Sequence, residues 1–247
     1  MKIAVLADIH GNAGALRATL VEARKSGIQY LIVLGDLIGY YYAASEVLEE
    51  LRQWPFVAIR GNHERMFAEA LRSDRAMQTY QERYGSALDL AAATLEPQDC
   101  DWLIRLPDRA TIHLGGLALE LCHGSPRDPD EYVYPDSSAA TLDACRVAGA
   151  DLVLMGHTHY PMLNAGARPV LLNPGSVGQA RDRGGFACWC SIDTSTRAME
   201  IKRTPYDTRP LAEEARRRDP HLPYLAEVLE RSNPTADSTK TGPRDDL

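Results

Sequence analysis

Seven residues of this sequence can ligate a metal, and they fall in five short motifs. Asp8 and His10 stand in D-x-H. Asp36 follows a glycine, and Asn62 precedes His63 in G-N-H. His123 stands in C-H-G, and His157 and His159 in G-H-x-H. Of seven histidines, five occupy these motifs and only His113 and His221 lie elsewhere, so the set is concentrated rather than scattered. Taken singly, each has a plain reading: a histidine satisfied at a strand end, or an aspartate closing a loop. Taken together they form a set of nitrogen and oxygen donors without thiolate, which suits Mn, Fe, Zn, Co or Ni rather than a structural zinc knot. Seven ligands exceed what one ion needs but suit two ions sharing a carboxylate, an arrangement that clamps in-line displacement at phosphorus.

The elements around these motifs must bring them to one place. Residues 3–7 form a short apolar run, read as a buried strand, and a helical pattern follows through Leu16, Leu20 and Ala23 to Gly27. Residues 30–36 and 56–63 read as further strands running into loops, with a helix over 45–54 opened by a Ser45 cap. Strand, helix, strand, helix, strand implies a parallel sheet with crossover helices. Ligands then gather beyond the carboxyl ends of the strands. In extended backbone, residues i and i+2 face one side, so Asp8 with His10, and His157 with His159, are expected to point at a common centre. Glycines before Asp36, Asn62 and His157, and after His10 and His123, permit tight turns there.

Residues 64–106 lack a strand signal and read as a helical insertion of two or three helices plus a short one stopped by Pro107. A hairpin turned at Gly115 and Gly116 follows, then a helix over 137–148 and a strand over 151–157. Three further runs, "PVLLNPGS", "FACWCSID" and "AMEIKR", read as successive strands whose short connections favour antiparallel pairing. One domain over 1–230 and a polar tail over 231–247 are expected.

The motifs "DIH", "GD", "GNH", "CHG" and "GHTH", complete and in order, resemble the calcineurin-like metallophosphoesterase superfamily. Their flanks, "GDLIGYYYAASEVLEELR", "HGSPRDPDEY" and "NPGSVGQARD", are similar to its small bacterial and archaeal phosphodiesterase branch. The resemblance implies a four-layer α/β/β/α sandwich of two mixed sheets flanked by helices. It implies one divalent transition-metal ion, Mn first, on Asp8, His10, Asp36 and His159, and a second on Asp36, Asn62, His123 and His157, with Asp36 bridging. A water shared by the ions would attack phosphorus as hydroxide. His63 would be no ligand but would bind a phosphate oxygen and stabilise or protonate the leaving oxygen. The implied substrates are phosphodiesters or nucleotides. Hydrolysis of dinucleoside polyphosphates, then phosphomonoesters or phosphoproteins, are the alternatives. The same fold also serves a trafficking subunit as a binding scaffold, but here no ligand is missing.

The chain departs from the pattern in one place. Protein phosphatases of the superfamily carry an arginine soon after G-D, where this chain has Tyr40, Tyr41 and Tyr42. These either stack on a substrate ring, with Tyr41 the candidate, or pack against the insertion. Arg181 is the candidate phosphate grip after "NPGSVGQ", with Arg183, Arg60 and Arg127 behind it. Gly175, Ser176 and Gly178 read as a turn bracing the metal loops.

The bulk numbers bound these readings. A net charge of -7 and a pI near 5.5 argue against stable binding of duplex nucleic acid but not of a small anionic substrate. No apolar run approaches a membrane span, and the start is too short in apolar residues for a signal peptide. Five cysteines with irregular spacing do not make a disulfide framework. Cys188 and Cys190 read as one face of a strand before they read as zinc ligands. A cytoplasmic enzyme, with homo-oligomerisation open, is the expectation.

Overall fold

The computed structural model describes residues 1–231, so 232–247 of the expected tail lie outside it. The first half of the chain builds one sheet around β1 (Lys2–Leu6), which pairs in parallel with β2 (Tyr30–Val33); β2 pairs in parallel with β3 (Phe56–Ala58). Helices α1 (Ala13–Lys25) and α2 (Ala44–Leu51) make the crossovers. The other edge is antiparallel: β9 (Phe186–Asp193) pairs with β1 and with β10 (Ala198–Pro205). The sheet order is β10-β9-β1-β2-β3.

The second sheet has the order β4-β5-β6-β8-β7. The hairpin β4 (Arg109–Leu114) and β5 (Leu117–Cys122) turns at Gly115 and Gly116 as expected. The remaining strands are β6 (Leu152–Leu154), β7 (Pro161–Asn164) and β8 (Val170–Pro174). The pairs β5–β6 and β6–β8 are parallel, and β7–β8 is antiparallel.

Side-chain alternation turns these two sheets into four layers. Along β1, Ile3 and Val5, followed by Ala7, face a core shared with Leu119 and Leu121 of β5 and Leu172 of β8. Ala4 and Leu6 face the opposite way, into a core with Leu16 and Leu20 of α1 and Val47 of α2. A period of two places alternate residues on opposite faces, and a central strand buried on both must be apolar throughout. The outer face of the second sheet, with Val153 and Leu171, is covered by Leu142 and Cys145 at the short helix α7 (Ala139–Ala144). The expected α/β/β/α architecture is what forms.

Three details differ from the sequence-based expectation. "PVLLNPGS" does not pair with "FACWCSID": β8 sits in the second sheet beside β6, and the chain crosses over before entering β9 in the first. Helix α2 starts at Ala44 with no side-chain cap, because the Ala43 N–H is held by the Gly11 carbonyl at 3.1 Å; Ser45 lies inside the helix. The helix expected over 137–148 is one short element capped by Ser138. The insertion itself is filled by α3 (Asn62–Ala70), α4 (Asp74–Tyr84), α5 (Ala87–Thr94) and the short α6 (Pro97–Arg105). Cys188 and Cys190 are buried and free in β9, and the other cysteines are also unpaired.

Two unexpected helices, α8 (Arg209–Arg218) and α9 (Tyr224–Glu227), pack on the tyrosine run. Asp219, buried between them, accepts from the Tyr42 hydroxyl at 2.7 Å, from Ser86 N at 2.9 Å and from Ser86 Oγ at 3.1 Å. The carboxylate thus ties the tyrosine loop, the insertion and the C-terminal helices together. Asp219→Ala leaves those donors unpaired, at about 1–3 kcal/mol for each one that stays buried. The expected loss of unfolding free energy is about 3 kcal/mol in a urea titration; a change within ~0.5 kcal/mol would refute the tie.

Candidate metal centre

The five motifs meet where the two sheets face each other at their strand ends. Asp8, His10, Asp36, His123, His157 and His159 are all buried, and Asn62 is partly buried beside them. Two of the donor triplets are Asp8–His10–His159 and Asp36–His123–His157. Within and between them, His10 Nε2 lies 3.0 Å from His159 Nε2 and 3.7 Å from Asp36 Oδ2. His159 Nε2 is 3.6 Å from Asp8 Oδ1, and His123 Nε2 is 3.3 Å from Asp36 Oδ2 and 2.9 Å from Asn62 Oδ1. Bonds of about 2.1 Å to a transition metal give donor–donor edges of about 3.0 Å in octahedral and about 3.4 Å in tetrahedral geometry, so these spacings suit ligand polyhedra. Asp36 faces both groups.

The rings are aimed for ligation. His123 Nδ1 donates to the Leu34 carbonyl at 2.7 Å, and His159 Nδ1 donates to the Gln179 carbonyl at 2.7 Å. Each bond turns Nε2 toward the centre, as the outer partners of metal-bound histidines do. His157 Nε2 and His10 Nδ1 are buried with no hydrogen-bond partner, an unmet demand for a buried polar atom. The donor set, its spacings and the orphaned His157 Nε2 fit divalent metal ions.

The expected route to convergence needs correction. Alternation along an extended strand does not aim these residues. Asp8, His10, Asp36, His157 and His159 all adopt left-handed backbone, with φ between 52° and 68°. Each costs about 1–2 kcal/mol for a residue with a side chain. Backbone bonds hold them there: Asp8 N donates to Gly35 O at 3.2 Å and His10 N to Asp36 O at 2.8 Å, and His157 N donates to the Asp8 carboxylate at 3.1 Å. The "NPGSVGQ" loop braces the same turn, as expected: the Asp8 carbonyl accepts from Ser176 Oγ at 2.7 Å and from Gly178 N at 2.9 Å. A Cβ on Gly178 would sit 1.9 Å from the Ile9 carbonyl oxygen, so only glycine allows this approach.

Asn62 and His63 open helix α3 rather than lying in a loop. His63 N donates to Asp36 Oδ1 at 2.9 Å, and its buried Nδ1 has no partner. With His10 and Asp36 it forms a third close triplet, so His63 is at the centre with the ligands. A Cβ at Gly39 would fall 2.2 Å from His63 Nδ1, which is why that turn takes glycine.

Sequence reasoning missed Glu64. It is fully buried and collects four backbone N–H groups: Gly61 at 2.7 Å, Asp36 at 2.9 Å, Leu37 at 2.7 Å and Ile38 at 3.3 Å. It staples the Asp36 loop to the first turn of α3. The signal that could have found it is a glutamate three residues into a helix start, the acidic half of a capping box.

The tyrosine run divides. Tyr41 does not reach the centre: it is buried, its hydroxyl donates to the Leu225 carbonyl at 3.0 Å, and its ring packs with the C-terminal helices. Tyr40 does: its ring centroid lies 4.6 Å from that of His10 and 4.7 Å from that of His63. Arg181 is brought to the centre, its guanidinium donating to the Tyr40 hydroxyl at 3.4 Å while its buried Nε has no partner. The other candidate arginines are engaged elsewhere. Arg60 pairs with Asp108 at 2.6 Å, Arg127 with Glu131, and Arg183 lies 4.3 Å from the centroid of the Phe186 ring.

Burial and charge set which protons compete for the ligands. Burial pushes the Asp8 carboxyl up to about 8, whereas the imidazoles of His123, His63 and His10 hold Asp36 well below the usual range. Burial pulls His157 down to about 3 and His10 and His159 well below their usual value, so these rings are already neutral at pH 7. His123 goes up to about 9 because Asp36 and Asp8 outweigh its desolvation. Metal must therefore displace protons from Asp8 and His123, and both are bound below about pH 8. The apparent affinity for Mn²⁺ is expected to rise with pH between about 6 and 9, with release of about two protons at pH 7. Calorimetry in buffers of different ionisation enthalpy measures both; affinity flat over that range would contradict it. Glu64→Ala strands its buried N–H groups and is expected to lower both unfolding free energy, by about 3 kcal/mol, and Mn²⁺ occupancy. Full occupancy in a metal assay of the folded variant would refute the staple.

The comparisons with known proteins agree with this geometry. Residues 1–197 match the family model of the calcineurin-like phosphoesterase superfamily domain. The chain is 29% identical over 227 residues to the uncharacterized protein MJ0912 of Methanocaldococcus jannaschii, covering 84% of this chain and 88% of that protein. Among solved structures, a metallophosphoesterase from Sphaerobacter thermophilus superposes with a TM-score of 0.75 at 25% identity, covering 93% of this chain and 98% of that one. The hypothetical protein PH1004 of Pyrococcus horikoshii OT3 shares the fold with a TM-score of 0.80 at 22% identity, covering 94% of this chain and 99% of that one. With its ligand motifs assembled at the strand ends and the family model matched over most of its length, this chain belongs to the calcineurin-like phosphoesterase superfamily.

Proposed function

We propose that the protein is a two-metal phosphoesterase that hydrolyses phosphodiester or nucleotide substrates. The observation that carries the reading is the pair of buried donor triplets, Asp8–His10–His159 and Asp36–His123–His157, with the Asp36 carboxylate 3.3 Å from His123 Nε2 and 3.7 Å from His10 Nε2. One ion would be held by Asp8, His10, Asp36 and His159, and the other by Asp36, Asn62, His123 and His157. Two such ions, Mn²⁺ first and Fe, Zn, Co or Ni as alternatives, supply Lewis-acid charge at phosphorus and a water acidified toward neutrality.

The chain's own groups do the rest. Asn62 ligates through its amide oxygen, and its neutrality leaves more positive charge at the centre than an aspartate would. Burial lowers the pKa of His63, so the resting imidazole is neutral and donates from one ring N–H to a phosphoryl or leaving oxygen. The Asp36 carboxylate and the Tyr40 ring orient it, through its backbone N–H and its face. Arg181, half-buried with an unpartnered Nε, adds fixed positive charge for a phosphate oxygen. The free cysteines support a reducing, cytoplasmic setting.

The dinucleoside polyphosphate alternative rests on the tyrosine run and on the arginines after "NPGSVGQ". Tyr41 and Tyr42 are tied into the C-terminal helices, and Arg183 lies on Phe186, which removes most of that support.

With Mn²⁺, turnover of at least one of bis-p-nitrophenyl phosphate, a cyclic nucleotide panel and diadenosine tetraphosphate is expected; no turnover on any of them rejects the reading. His63→Ala is expected to keep both ions by metal analysis while kcat falls ~10²-fold or more. Asn62→Ala is expected instead to lower metal occupancy. Loss of an ion in His63→Ala would make His63 a ligand and reverse its assigned role.

A further inference from the structure

A cleft of about 360 Å³ opens directly over two of the ligand residues, Asn62 and His157, which form its floor. Its walls are aromatic. Tyr80 and Tyr84 of helix α4 line it, ring centroids 6.3 Å apart. Tyr132 lines it as well, its ring centroid 4.1 Å from that of His157. Tyr84 also meets His63 edge to face at 5.4 Å, so the aromatic walls begin where the leaving oxygen would be. The mouth is polar and acidic. Glu69 and Asp130, both exposed, border it, and the Arg65 guanidinium beside them is paired with Asp130.

We propose, resting on the phosphoesterase reading above, that this cleft is a nucleobase subsite. It takes a planar base carrying an exocyclic amino group, from a nucleoside phosphoester whose phosphoryl group sits on the Asn62–His157 floor. Three features choose this ligand. Three tyrosine rings lining one cleft offer a flat ring of any base a stacking surface, a contact that needs no set pattern of hydrogen bonds. The Tyr80 ring is fixed in place because its hydroxyl donates to Glu69 at 2.5 Å, so little freedom is lost on stacking. Carboxylates at the mouth accept hydrogen bonds and cannot donate them, which favours the amino edge of a base over a carbonyl edge.

The same charges exclude another ligand. The mouth has two carboxylates and one arginine, and that arginine is already paired. A second or third phosphate extending outward would meet Glu69 and Asp130 with no unpaired cation among the described lining residues. The cleft therefore suits a single phosphoryl group followed by a nucleoside, not a polyphosphate chain. The insertion supplies part of the subsite, since α3 and α4 carry Arg65, Glu69, Tyr80 and Tyr84, while Asp130 and Tyr132 come from the segment after β5.

The test uses the full chain loaded with Mn²⁺ and calorimetric dissociation constants for adenosine 5′-monophosphate, inosine 5′-monophosphate and ribose 5-phosphate. Adenosine 5′-monophosphate is expected to bind at least ~10-fold more tightly than ribose 5-phosphate, and the inosine compound between them. Tyr80→Ala is expected to shrink the adenosine-to-ribose ratio at least ~3-fold, and Glu69→Gln to narrow the adenosine-to-inosine difference. A thermal melt checks that each variant is folded. Equal affinities for adenosine 5′-monophosphate and ribose 5-phosphate overturn the subsite, as does a ratio unchanged in Tyr80→Ala. Hydrolysis of bis-p-nitrophenyl phosphate, measured on the same preparation, separates the two claims. Turnover with equal affinities sinks the subsite alone, and a base preference without turnover of any phosphoester sinks the enzymatic reading alone.

Discussion

The whole centre depends on left-handed backbone at five residues that are not glycine. Donors on different strand ends can share one small volume only if the chain turns sharply just past each strand. At Asp8, His10, Asp36, His157 and His159 the required φ lies between 52° and 68°. A residue with a Cβ resists that conformation by about 1–2 kcal/mol, so nothing local would keep five of them there. The loops are instead locked to one another. His10 N bonds Asp36 O, Asp8 N bonds Gly35 O, and His157 N bonds the Asp8 side chain. Each strained turn is held by the next, and the ligand set forms as one unit.

Glu64 is the clearest case of a residue whose work is invisible from the chemistry. Its carboxylate gathers four N–H groups from the Asp36 loop and the start of α3. Burial and the neighbouring Asp36 push it up to about 7, against the N–H groups that favour its ionised form. The first turn of α3 thereby places three consecutive residues differently: Asn62 Oδ1 beside His123 Nε2, His63 against Asp36 and the Tyr40 ring, and Glu64 on the backbone.

A second layer of support comes from the C-terminal helices. Leu225 and Asp219 anchor the hydroxyls of Tyr41 and Tyr42, leaving Tyr40 to stand against His10 and His63. Three identical neighbours thus take different tasks, because successive side chains of one loop leave in different directions and meet different surroundings. From the sequence Tyr41 is the candidate for substrate contact, and in the structure it packs against the C-terminal helices instead. No local rule says which of three tyrosines a later helix will cover.

The donor motifs were legible from the sequence because metal ligation restricts residue type severely. Five histidines gathered in glycine-flanked motifs, with two aspartates and an asparagine among them, are too concentrated for scattered structural roles. The strands were legible because burial on both faces leaves near-continuous apolar runs. Which sheet each strand joins was not, since β8 and β9 have the same apolar character and a short connection yet lie in different sheets. Nor were the left-handed turns, the three bonds from the Asp36 loop to Glu64 or the fate of Tyr41, all of which rest on contacts between residues far apart in the chain. Residue type alone determined which atoms can bind metal. Only the tertiary structure decided how they are aimed, because aim depends on hydrogen bonds that exist once distant loops are packed together.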